Sequence, residues 1–274
     1  GAYLQDYTFF MDGGDESRAR SKEILTETME EICKTLKGYK SDFYLVQEVD
    51  FNSTRTHKVD ERKMIRETFP KKSYVFAENY HSPYLQYPLL NPHGANNSGL
   101  VTMADYKMDS SLRRQLPIQE GLGSIVDLDR CVNVTRFSTD NGKEFILINT
   151  HLTAYTNDPT VATRQLELVY EIIEKEYKAG NYVICGGDMN KDLTGNCEEI
   201  FGVKLANEED LWCKPFPIDT LPACTSLVVA LDEKKPIGTC RDSGVPYERG
   251  KTFETFLDGF IITDNVEVVA SGVH

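Results

Sequence analysis

Four short apolar runs in this chain each meet a polar group that burial would penalise unless it is paired or binds something. Phe43-Tyr44-Leu45-Val46 leads into Gln47-Glu48, Ile146-Leu147-Ile148 into Asn149-Thr150-His151, and Val183-Ile184-Cys185 into Gly186-Gly187-Asp188. Phe256-Leu257 meets Asp258 before Gly259-Phe260-Ile261-Ile262 resumes. The first run does not alternate, the pattern of a strand buried on both faces. Such runs demand sheets covered on both sides, with strand ends gathered where loops can build a site.

Helical periodicity separates the runs. Residues 15–37 place Ala19, Ile24, Leu25, Met29, Ile32, Cys33 and Leu36 near helical spacing, with Gly38 as a stop. A second helix is predicted over 59–69, ended by Pro70, and a long one over 160–178, closing at Gly180. Strands are predicted at 43–48, 74–78, 98–103, 131–138, 144–150 and 182–185, and two more at 255–263 and 266–270. Thr139-Asp140-Asn141-Gly142 marks a hairpin. Residues 196–250, rich in Pro, Cys and charge, read as long surface loops. Helices alternating with buried strands, together with a hairpin, predict an α/β protein with mixed sheets and helices outside. A length of 274 residues suits one domain over 1–274.

Charge narrows the ligand. The formal net charge is -13, which disfavours tight non-specific nucleic-acid binding, because that affinity comes from Lys and Arg neutralising phosphates. A phosphorylated small molecule or a lipid headgroup remains compatible, and a metal inverts charge locally. No run of about 18 apolar residues is present to span a membrane. The seven cysteines form no CxxC pair. Cys33, Cys131 and Cys185 read as core residues. Cys197, Cys213, Cys224 and Cys240 fall in loop-like sequence, where they could pair.

The polar residues at the strand ends carry the candidate chemistry. A carboxylate at Glu48 suits Mg²⁺ or Mn²⁺, which take hard oxygen ligands, or simply faces water. His151 can donate to a phosphoryl oxygen or act as acid or base; otherwise it is a core histidine bonded to a carbonyl. Asp188 and Asn190 are two apart and share a face in extended geometry, a carboxylate to position water beside an amide to steady it. The bland alternative is a capped Gly-Gly-Asp turn. Asp258, inside an apolar strand, needs a partner such as a histidine or its own backbone. Arg130 and Arg241 are candidate phosphate contacts, or solvated surface arginines. The run from Tyr80 to Pro88 would line a cleft or pack as a loop. His57 and His93 read as surface residues.

In this order, QEVD at 47–50, NTHL at 149–152, GGDMN at 186–190 and LDGF at 257–260 resemble the endonuclease/exonuclease/phosphatase superfamily, the DNase I-like metal-dependent phosphoesterases. Asn97-Ser98-Gly99-Leu100 also resembles one of its strands, which makes Asn97 a substrate-side candidate. The resemblance implies a four-layer αββα sandwich, two mixed sheets face to face with helices outside. It implies hydrolysis of a phosphodiester or phosphomonoester with Mg²⁺ or Mn²⁺. Glu48 resembles the metal ligand, His151 the phosphate contact, Asp188 the water-positioning carboxylate, Asn190 its amide companion and Asp258 the aspartate that orients a C-terminal histidine. The alternatives are a nuclease, a sphingomyelinase-like lipid phosphodiesterase, or a binding domain of the same fold without catalysis. Residues 1–14 carry no first-strand Asn, and no Ser-Asp-His closes the chain. That departure predicts a chain trimmed at both ends and weak in activity. The resemblance to bacterial members, often anchored outside the membrane, makes an extracytoplasmic setting the expectation.

Overall fold

The computed structural model of the chain describes residues 2–118, 129–154, 159–204 and 213–273. Two helices open it. In α1 (Lys22–Tyr39) the Ser21 side chain accepts from the Ile24 amide, and in α2 (Glu61–Thr68) Asp60 accepts from Lys63. Each cap stabilises its helix by about 1 kcal/mol relative to alanine. The Ser21 cap fixes the start of α1, so 15–21 remain outside the helix that periodicity extends to them.

β1 (Phe43–Asp50), β2 (Ser73–His81) and β3 (Asn97–Ala104) form an antiparallel sheet in the order β1-β3-β2. The second sheet contains β4 (Ser110–Gln115), β5 (Cys131–Ser138), β6 (Glu144–His151), β7 (Tyr182–Asp188), β8 (Thr225–Val228) and β11 (Asp258–Thr263). Its order is β4-β5-β6-β7-β11-β8. It is mixed, because β6 and β7 run parallel and are joined through α3 (Pro159–Lys178). A two-stranded ribbon of β9 (Cys240–Arg241) and β10 (Glu254–Thr255) and a short α4 (Cys197–Phe201) complete the elements used below.

Strand alternation sorts the core into layers. From β3, Val101 and Met103 pack with Leu25, Met29 and Cys33 of α1 and Ile65 of α2, whereas Leu100 and Ala104 meet the other sheet. From β6, Ile146 and Ile148 join Val169 and Ile173 of α3, whereas Leu147 joins Ala104 and Phe137 between the sheets. The architecture is therefore a four-layer αββα sandwich. A polar ladder also crosses the sheet interface. Gln47 donates to Asn149 Oδ1 (2.8 Å), Asn149 donates to the Val101 carbonyl (3.0 Å), and Thr102 donates to Asn133 Oδ1 (2.9 Å). Each bond contributes about 1 kcal/mol net, but leaving one end unpaired costs about 1–3 kcal/mol, so the ladder fixes how the sheets register. Asn149, first residue of the NTHL motif, is spent on this task.

Several expectations are corrected. Residues 266–270 form no strand; Val269 is 93% exposed and has no sheet to cover it. β4 was not anticipated, because all six of its residues are exposed and carry no alternation. Cys197 and Cys213 are buried in the core beneath the second sheet, and all seven cysteines are free thiols. His93 is buried, with Nδ1 2.7 Å from the Ser17 carbonyl, and His57 lies 2.6 Å from the Ala19 carbonyl.

Candidate active site

The parallel pairing of β6 with β7 sets His151 opposite Asp188, and the antiparallel pairing of β11 with β7 sets Asp258 opposite Asp188. The two glycines before Asp188 make this approach possible. A Cβ on Gly187, whose φ is +140°, would lie 2.0 Å from the Thr150 carbonyl oxygen, and one on Gly186 would lie 2.6 Å from the Phe260 ring. Strand backbone thus delivers the polar ends side by side. His151 Nε2 is 3.7 Å from Asp188 Oδ2. The Asn190 amide donates to Asp188 Oδ1 (2.8 Å), and the Asn190 side chain donates to the Leu152 carbonyl (2.6 Å). Asn190 therefore steadies the carboxylate through its backbone, with its side chain spent on anchoring the turn.

Glu48 reaches the same place by a different device. The β1–β3 register slips between Val46 and Val49, and Glu48 sits in that bulge with φ 54°, a conformation costing a non-glycine residue about 1–2 kcal/mol. The bulge turns its side chain into the cleft, where it is 48% exposed. Behind it, Arg55 donates through Nε and Nη2 to both oxygens of the fully buried Asp50 (2.8 and 2.7 Å) and lies 3.4 Å from Glu48 Oε2. Asp50 also receives structural support from Glu61, which accepts from the Asp50 amide at 2.7 Å.

Glu48, Arg55, Arg130, His151, Asp188, Asn190 and Arg241 line one cavity of about 480 Å³. Its other wall is the N-terminal segment, with Tyr3, Tyr7 and Phe9, together with Cys240, Ser243 and Leu257. Tyr3 stacks on Tyr7 with ring centroids 4.0 Å apart. The segment is pinned there by Arg241, whose Nη2 donates to the Gln5 and Tyr7 carbonyls (3.0 and 2.9 Å) and whose Nη1 donates to those of Asp242 and Val245. Arg241 thus holds the roof in place of standing free for a phosphate. Asn97 is not among the lining residues; it sits at the start of β3, where Ser53 bonds its amide and carbonyl. Asp258 lies behind Asp188 and is not a lining residue either. Thr239 accepts from its amide at 3.1 Å and bonds its carboxylate, taking the place expected for a histidine. The run from Tyr80 to Pro88 lies outside the cavity, with Tyr87 against Phe10 (5.7 Å).

The electrostatics separate the groups. Burial, reinforced by Arg130, pushes His151 down to about 3, so at neutral pH it is an uncharged imidazole and its contact with Asp188 is not an ion pair. Burial, reinforced by the facing Asp258, raises Asp188 well above the usual carboxylate range. Enclosure works to raise Glu48, but the Arg55 guanidinium overrides it and holds the carboxyl well below that range. The site therefore offers a permanently ionised oxygen ligand at Glu48 and a stronger base at Asp188.

Among the described residues no three His, Cys, Asp or Glu side chains cluster closely enough to hold a metal alone. Glu48 presents one ionised, half-exposed carboxylate to the cavity. That fits Mg²⁺, which keeps several waters and takes one or two carboxylates together with substrate oxygens.

The sequence did not point to Arg55, Asp50 or Tyr3. A signal existed for the first two: carboxylates at alternate positions 48 and 50, with an arginine five residues beyond the second. Tyr3 gave none.

No protein-family model and no curated protein matches the chain. Solved structures do. TDP2 from Caenorhabditis elegans aligns with TM-score 0.55 and 15% identity over 87% of this chain and 77% of its own. Beta toxin from Staphylococcus aureus, a β-hairpin deletion mutant, aligns with TM-score 0.55 and 14% identity over 91% and 83%. An endonuclease/exonuclease/phosphatase protein from Beutenbergia cavernae aligns with TM-score 0.55 and 13% identity over 88% of this chain, which spans 60% of that protein. At such identities the likeness is one of architecture, and the chain has the DNase I-like fold of the endonuclease/exonuclease/phosphatase superfamily.

Proposed function

We propose that this chain hydrolyses phosphoester bonds with the help of a divalent cation. The observation that carries the reading is the convergence of Glu48, His151, Asp188 and Asn190 on one cavity from three strand ends in two sheets. The activities that name the Beutenbergia cavernae protein, endonuclease, exonuclease and phosphatase, are all phosphoester hydrolyses, which supports the reading.

Glu48 would hold the metal, Mg²⁺ or Mn²⁺, which supplies charge neutralisation at the phosphoryl oxygens. Asp188 accepts a proton from water, and its raised basicity suits that task. The Asn190 amide fixes the carboxylate so that one oxygen faces the cavity. His151, uncharged, donates a hydrogen bond to a phosphoryl oxygen as charge develops there. Asp258 acts through Asp188, as a neighbouring carboxylate that raises it.

The test is hydrolysis of bis-p-nitrophenyl phosphate and p-nitrophenyl phosphate with Mg²⁺ or Mn²⁺. Asp188→Ala should lower kcat by about 10²–10⁴-fold. Glu48→Gln should abolish the rise in Tm that Mg²⁺ gives the wild type. An unchanged kcat in Asp188→Ala would refute the assignment of the base.

A further inference from the structure

Two hydrogen-bond donors in the cavity have no protein acceptor among the described residues. The Tyr3 hydroxyl is buried and unpaired. Arg55, 8% exposed, uses Nε and Nη2 on Asp50 and Glu48, while none of its bonds within the described residues uses Nη1. Both residues line the cavity that holds Glu48, His151 and Asp188. A buried donor without an acceptor costs about 1–3 kcal/mol, so the Tyr3 hydroxyl calls for an acceptor from outside the protein, and Arg55 Nη1 is left over beside it on the same cavity.

We infer that Tyr3 and Arg55 together bind a non-bridging oxygen of a phosphoryl group, forming an anion subsite on the Glu48 side of the cavity. The inference rests on the phosphoester reading and gives it the residues that grip the substrate. The acceptor class follows from the donors. Arg55 is fixed by Asp50, so Nη1 points from a rigid base, and a guanidinium N–H suits phosphate oxygen. Tyr3 keeps its proton, since burial raises it well above the ordinary phenol value, and so it can only donate to an anion. The stack on Tyr7 and the Arg241 clamp on the Gln5 and Tyr7 carbonyls hold the phenol in place before any ligand arrives.

The test measures binding apart from turnover. Inorganic phosphate is titrated into the full chain by calorimetry, with and without Mg²⁺, for wild type, Tyr3→Phe and Arg55→Lys. A hydrogen bond to a charged group is worth about 1.5–3 kcal/mol, so Tyr3→Phe should weaken phosphate binding about 10- to 100-fold. Arg55→Lys should weaken it at least as much, while in Tyr3→Phe the Mg²⁺-induced rise in Tm stays as in wild type. With p-nitrophenyl phosphate, Tyr3→Phe should raise KM more than it lowers kcat. Phosphate affinity unchanged in Tyr3→Phe overturns the inference, even if the enzyme hydrolyses phosphoesters. Phosphate bound by wild type, weakened in Tyr3→Phe and never accompanied by hydrolysis would keep the inference and refute the catalytic reading. Should Arg55→Lys fail to fold, Tyr3→Phe alone decides, since it keeps the ring and its stack on Tyr7.

Discussion

Replacing Arg55 by Met tests the electrostatic frame of the site. Asp50 is fully buried, and Arg55 neutralises it through two short charge-assisted bonds. Methionine fills a similar volume but leaves the carboxylate alone, and breaking a buried pair from one side costs about 3–5 kcal/mol. The Glu48 contact adds little, because that carboxylate is half exposed and 3.4 Å away. Against a typical total stability of about 5–15 kcal/mol the loss is severe. Urea unfolding followed by far-UV circular dichroism measures it. Arg55→Met with Asp50→Asn removes the stranded charge and should recover more than half of the loss. The pH response carries a further sign. In wild type, burial works to raise Asp50 but Arg55 prevails and lowers it, so its contribution is present at neutral pH and is lost as pH falls. In Arg55→Met the guanidinium no longer opposes burial, so Asp50 takes up a proton more readily and the deficit should narrow between pH 7 and pH 5. A single variant within about 0.5 kcal/mol of wild type would refute the reasoning, as would a double variant no better than the single one; surface changes have effects of that small size.

Glu61 responds in the opposite direction. Burial raises it to about 7, so its stabilising protonated state is complete below the unfolded value of 4.5 and lost as pH rises through 7. Glu61→Gln should therefore flatten the pH dependence of stability between pH 5 and 8, by on the order of 3 kcal/mol, in the same unfolding assay; an unaltered profile counts against the burial argument. Gly187→Ala should lower Tm sharply or prevent folding, because its methyl would meet the Thr150 carbonyl. Gly142→Ala, with open space at φ +78°, should cost only about 1 kcal/mol by calorimetry.

What the sequence made legible follows from burial. β6 and β7 are covered on both sides, so their apolar runs showed through, and so did the polar residues that end them. β4 lies at a sheet edge with every side chain in water, and its SSLRRQ has no reason to alternate. The VEVVA stretch after Asn265 misled for the converse reason: apolar residues resemble a strand, but a strand needs a neighbour to bond. Arg55 and Asp50 are five residues apart on a loop and a strand end, and their pairing depends on how that loop folds back, which no periodicity records. Asp258 was read as a histidine's partner because a buried carboxylate requires a partner; the local one, Thr239, lies far off in sequence and belongs to no motif.

The junction of β6 and β7 has a consequence for hydrogen exchange. These strands sit in the middle of the larger sheet, paired on both flanks and covered by α3 and the smaller sheet. The amides of Ile148 and Cys185 should exchange only through global opening. The roof over the cavity pairs with neither sheet and is held by turn and side-chain bonds, among them the Arg241 carbonyl bonds, Arg20 on Asp6, Thr8 with Glu16, and the amides of Phe9 and Tyr247 on the Ser243 and Gln5 carbonyls. Its amides should exchange much sooner, so the lining can lift from one side while His151 and Asp188 keep their spacing.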